Sequence, residues 1–128
     1  SIMNYNIFVQ KVIAQDSRNR FGTLSVHNGI NVPMALKKFY LDNEPVDVEV
    51  RLEDLNSIHF YPLSQLDDLQ KEYKLPKGSF VFATMNGDPI YLFNNKVFIT
   101  DEGCSSKPEE LASSFDEYLA AIIKEMQK

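Results

Sequence analysis

The chain has 128 residues, 44% of them apolar and 24% charged, with a formal charge of −5. That length suits one domain, able to bury roughly two-thirds of its unfolded surface without a disulfide or metal staple, and the compositional balance excludes a disordered chain. A single cysteine, Cys104, excludes an intrachain disulfide, and two histidines, His27 and His59, leave too few ligands for a structural zinc site. No apolar run approaches the ~20 residues of a membrane-spanning helix. The opening Ser1-Ile2-Met3-Asn4 lacks the basic and apolar regions of a signal peptide. Met3 reads as the natural start behind a two-residue remnant, and the expectation is one cytoplasmic domain over 1–128.

Residues 4–15 read as an amphipathic helix, because Tyr5, Phe8, Val9, Val12 and Ile13 follow the spacing of one buried helix face. Phe21 to Val26 reads as a short strand closed by the Asn28-Gly29 turn signal. Val32 to Tyr40 is predicted as a second helix, with Pro33 in its first turn. Asp42-Asn43-Glu44-Pro45 ends it, since a residue before proline avoids helical geometry. Val46, Val48 and Val50 then alternate with Asp47, Glu49 and Arg51, the pattern of a half-buried strand. Ile58 and Phe60 mark another strand, stopped by Pro62, and Ser64 is placed to cap a helix carrying Leu66, Leu69 and Tyr73.

Phe80 to Thr84 is a β-rich run ending in the turn signal Asn86-Gly87-Asp88-Pro89. Ile90–Phe93 and Lys96–Thr100 flank Asn94-Asn95, two residues that tolerate the left-handed geometry of a tight hairpin. A polar loop follows to Lys107, and a long helix is expected from near Pro108, with Leu111, Phe115, Tyr118, Leu119, Ile122 and Met126 on its buried face. Consecutive antiparallel strands with flanking helices predict an α+β fold.

Nucleotide-binding glycine motifs, a zinc-protease H-E-x-x-H and a G-x-S-x-G elbow are all absent. Cys104 sits in a polar Gly-Cys-Ser-Ser loop and reads as an incidental thiol. His27 reads as a turn residue, and His59 as a sheet-surface or satisfied interior histidine. Asp88, Asp101 and Glu102 are the only acids that suggest an acid/base pair or a cation site, and turn chemistry and solvation explain them more simply. No catalytic residue, cofactor or metal is expected.

Charge is unevenly spread. Residues 1–41 hold five bases against one acid, residues 42–68 eight acids against one base, and residues 69–128 nine acids against seven bases. The concentrated field is negative, which disfavours nucleic acid and anionic membrane as partners and favours a basic protein. Asp42, Glu44, Asp47, Glu49, Glu53 and Asp54 are the candidate partner-binding acids, with Tyr40 and Tyr61 as adjoining aromatic anchors. A solvated strand face is the simpler account of the same acids. The expected oligomeric state is a monomer or weak homodimer.

Leu75-Pro76, Phe80-Val81-Phe82-Ala83, Asn86-Gly87-Asp88-Pro89-Ile90-Tyr91-Leu92 and Val97-Phe98-Ile99-Thr100-Asp101-Glu102 occur in an order that resembles the SUKH superfamily, which includes cell-wall-assembly regulators of the Smi/Knr type. Leu111 to Leu119 is similar to that family's closing helix motif, and Val32-Pro33 with Leu36, Phe39 and Tyr40 to its early helix. Asp42-Asn43-Glu44-Pro45 stands where the family often has Asn-Gly-Gly, and the usual tryptophans are missing. The resemblance implies an antiparallel sheet backed by helices and a role in protein–protein recognition. Many bacterial members are held to be immunity proteins that neutralise toxins, often nucleases; the fungal members are regulatory modules.

Overall fold

The computed structural model describes residues 5–24, 31–101 and 107–128. Among these residues seven strands form one sheet in chain order, each antiparallel to the next. They are β1 (Arg20–Gly22), β2 (Glu44–Arg51), β3 (Ser57–Phe60), β4 (Phe80–Met85), β5 (Asp88–Phe93), β6 (Lys96–Ile99) and β7 (Glu109–Ala112). The helices among the described residues are α1 (Tyr5–Gln15), α2 (Met34–Asp42), α3 (Leu63–Lys71) and α4 (Phe115–Glu125). The expected single α+β architecture is what the chain adopts.

One core joins the elements. Phe8 of α1, Phe60 of β3, Phe82 of β4, Phe115 of α4 and Phe39 of α2 form a closed ring of neighbouring aromatics. Their successive centroids lie 5.8, 6.2, 5.4, 5.5 and 6.0 Å apart. Four of the five contacts are edge-to-face, the arrangement that sets the positive ring edge against the negative face. All five rings are essentially inaccessible.

The tight turns follow their residues. Asn94 and Asn95 sit at φ 51° and 63°, and Asn86 and Gly87 at 53° and 83°, the left-handed pairs that match the twist of a hairpin. Asp88 and Pro89 already belong to β5.

Several expectations are corrected. No helix starts at Pro108: Glu109–Ala112 is β7, which satisfies the free edge of β6 through Val97↔Ala112 and Ile99↔Glu109. Leu111 is therefore a strand residue. The helix begins at Phe115, where Ser114 is extended and its hydroxyl accepts a hydrogen bond from Glu117 N at 3.1 Å. Ser114-Phe115-Asp116-Glu117 is a capping-box sequence, and its two acids favour the positive helix end. Met126 lies one residue past α4, still buried, bridging to Leu52.

Ser64 lies inside α3 and Pro62 occupies the cap position; Tyr73 lies beyond the helix end. Val46 is 40% exposed although Val48 and Val50 are buried. A bulge opposite Arg20 and Phe21 inserts a residue there and breaks the two-residue alternation. Ile13 is also 40% exposed, because it lies about 100° round α1 from buried Val12. The first strand covers Arg20–Gly22 alone among the described residues; Ser25 to Val26 and the Asn28-Gly29 turn lie outside them.

Candidate functional site

The acidic segment runs from the end of α2 along β2 to the turn into β3. Asp42 ends α2, Glu44 opens β2, Asp47 and Glu49 project from the side of β2 opposite to Val48 and Val50, and Glu53 and Asp54 form the turn into β3. The alternation forces this division, because Val48 and Val50 are taken by the core.

Not all of these acids are free to meet a partner. Glu44 is half-buried and its Oε2 accepts the Leu63 N–H at 2.9 Å, satisfying an orphan donor at the start of α3 that Pro62 cannot serve. Asp54 is exposed, but its two carboxylate oxygens each accept from Asn56, from the backbone N and from Nδ2, both at 3.0 Å. Asp42, Asp47, Glu49 and Glu53 remain as exposed acids.

Tyr40 is 1% exposed and its hydroxyl donates to the Tyr61 carbonyl at 2.6 Å. Its ring belongs to the core, so it supports the chain at Tyr61 rather than offering contact area. Tyr61 is half-buried; its hydroxyl lies 2.9 Å from Thr84 Oγ1 and its ring 4.4 Å from His59. His59 in turn is the register partner of Glu49 on one side and Thr84 on the other. Glu49, His59 and Thr84 thus share the face of the sheet opposite to Val48, Phe60 and Ala83, with Thr84 itself buried. The sequence marks His59 as a sheet-surface or satisfied interior histidine; only the strand register brings it beside Glu49.

Basic residues border the acids. Arg20 is the register partner of Asp47. Arg18 is raised above the ordinary guanidinium range chiefly by its hydrogen bonds to Asp16, with smaller attractions from Glu49 and Asp47. The Arg18 Nη2 to Asp16 Oδ2 separation is 2.7 Å, and Arg51 Nη1 approaches the same oxygen at 3.6 Å. Sequence distance hid this rim, since Arg18 and Arg20 belong to the basic first third of the chain.

Asp88 and Asp101, the candidate acid/base residues, line one open cleft of about 400 Å³ with Asn56, Asn86 and Glu109. Glu102, His27 and Cys104 lie outside the described residues. Among the described residues no group of three or more His, Cys, Asp or Glu is arranged to hold a metal, and no helix is long and apolar enough to cross a membrane.

Neither the comparison with curated proteins nor that with solved structures gave a match. One family does: its model covers residues 27–121, from the segment before α2 to the second turn of α4, and takes in the sheet from β2 to β7. The chain therefore belongs to the SMI1 / KNR4 family (SUKH-1).

Proposed function

We propose that this chain is a non-catalytic, cytoplasmic protein-binding domain of the immunity type, which binds and neutralises a basic toxin domain. The observation that supports it is the exposed acidic edge formed by Asp42, Asp47, Glu49 and Glu53 on an SMI1 / KNR4 family frame. The core does not require these four side chains, so their charge is available to steer a partner. A nuclease-type toxin carries a basic nucleic-acid surface, which such an edge attracts and masks. His59 and Tyr61 lie beside Glu49 and supply aromatic area next to the charge.

The test is affinity capture from the source organism with this protein as bait, followed by kinetics on the recovered partner. A basic toxin domain retained at low salt and released at high salt is the expected outcome. Asp42→Asn, Asp47→Asn, Glu49→Gln and Glu53→Gln combined should slow association several-fold at low salt and flatten its salt dependence. Glu44 and Asp54 are left out of that set because they hold α3 and the β2–β3 turn. Recovery of signalling or housekeeping proteins alone would replace this reading with that of a regulatory scaffold module.

A further inference from the structure

The tip of the β2–β3 hairpin carries a side chain that folding alone does not explain. Leu55 is 82% exposed and has φ 74°, in the left-handed region where a leucine is strained and glycine or asparagine is not. The turn imposes this geometry firmly. Leu55 N donates to Leu52 O at 3.0 Å, and Leu52 N donates to Asn56 O at 2.8 Å. Asp54 holds Asn56 as described, and Asn86 Nδ2 donates to Asn56 Oδ1 at 2.8 Å, tying the tip to the β4–β5 turn. A large apolar side chain is thereby presented to solvent on a rigid support, the condition that reduces the entropy lost on binding. Glu53, Asp54 and Glu125 surround a shallow depression at its foot.

Directly beside this acidic collar lies a groove of opposite charge between α1 and the end of α4. It measures about 250 Å³, with Ala14, Ile123 and Met126 among its lining and Lys11, Lys124 and Lys128 at its rim. The two features are joined by the Leu52–Met126 bridge and by Glu53 N donating to Glu125 O at 2.8 Å. One face therefore carries an apolar knob with an acidic collar next to an apolar groove with a basic rim. Two copies related by a two-fold axis satisfy each other at both places at once, which is the requirement of an isologous contact.

We propose that this face forms a homodimer in which Leu55 of each protomer enters the α1–α4 groove of the other. Glu53 and Glu125 of one protomer then oppose Lys11, Lys124 and Lys128 of its partner. The contact is small, which places it among reversible interfaces, and its ion pairs make it salt-sensitive. It shares only Glu53 with the acidic edge, so its failure leaves the toxin-binding reading standing, and that reading is tested separately by Asp42→Asn, Asp47→Asn and Glu49→Gln combined with Glu53 kept.

Sedimentation velocity over a range of protein and salt concentrations tests it. The expected result is a monomer–dimer equilibrium that weakens with salt. Leu55→Gly should weaken dimerisation at least tenfold without lowering the thermal midpoint, because glycine relieves the positive φ while removing the knob. Lys11→Glu with Lys124→Glu, and Glu53→Lys with Glu125→Lys, should each leave a monomer, and mixing the two proteins should restore a dimer. A wild-type protein that stays monomeric throughout, a dimer indifferent to Leu55→Gly, or a charge-reversed mixture that stays monomeric would each overturn the proposal.

Discussion

The side-chain amide of Gln15 pairs with the backbone of Arg51 as a neighbouring strand would, Arg51 N donating to Oε1 at 2.8 Å and Nε2 donating back to Arg51 O at 2.7 Å. Asn19 does the same for Glu49, at 2.9 and 3.0 Å, and Gln70 for Val81, at 2.7 Å in both directions. Each amide stands where a strand runs out. β1 reaches only Glu44 to Asp47 of β2, and β3 reaches only Ala83 to Met85 of β4. The sheet thus closes its exposed edges with carboxamides, which carry the donor and acceptor that a backbone residue would supply.

Gln70→Glu tests this role. A carboxylate still accepts from Val81 N but can no longer donate to the carbonyls of Val81 and Leu66, and it faces them with negative charge. The expected loss is about 1–3 kcal/mol by urea unfolding at neutral pH. A loss indistinguishable from zero would mean that water replaces the amide at no cost.

Phe115 meets both Phe39 and Phe82 in the aromatic ring, so Phe115→Ala opens a cavity at the junction of α2, β4 and α4. Destabilisation of about 3–5 kcal/mol is expected. Less than ~1 kcal/mol, well below the range for a truncated core aromatic, would show that the α4 face is misassigned.

Tyr40 and Tyr118 are both buried, and burial pushes both phenols well above their ordinary range, yet their hydroxyls differ. Tyr40 donates to Tyr61 O, whereas the Tyr118 hydroxyl finds no hydrogen-bond partner among the described residues. Tyr40→Phe should therefore cost about 1 kcal/mol, and Tyr118→Phe should be neutral or stabilising by up to about 1 kcal/mol. Equal effects of the two substitutions in thermal unfolding would remove the distinction.

Asp16 governs part of the acid limb of stability. Hydrogen bonds from the Arg18 side chain, then from its backbone N–H, hold the Asp16 carboxyl well below the usual carboxylate range, with the Arg51 charge adding to this. A depressed acid contributes stability that is fully present above the unfolded pKa and is lost as pH falls through the folded one. Asp16→Asn should therefore lower the thermal midpoint near neutrality, and the gap from wild type should shrink below ~pH 4. Arg18 is largely exposed, so added salt should narrow the gap as well. A gap that is constant across pH would assign the effect to packing.

The sequence by itself determined the elements with strong local signals. Phe8 and Val12 on α1, Val48 and Val50 on β2, the Asn86-Gly87 and Asn94-Asn95 turns, and the buried face Phe115, Tyr118, Leu119 and Ile122 were all legible from spacing and turn chemistry. Family membership was legible as well, because the motifs that carry it are those same turns and apolar runs. Tertiary structure alone decided the rest, since pairing energy comes from residues far apart in the chain. Glu109–Ala112 became a strand because β6 offered a free edge, although helix was the local reading. Glu44 turned from a surface acid into the cap of α3, and Tyr40 from an anchor into core. His59 reached Glu49, and Leu55 came to stand beside the lysine-rimmed groove, only through strand register and the closing of Met126 onto Leu52. Local propensity acts within a few residues, whereas an edge, a cap or a face exists only once the sheet has brought its two sides together.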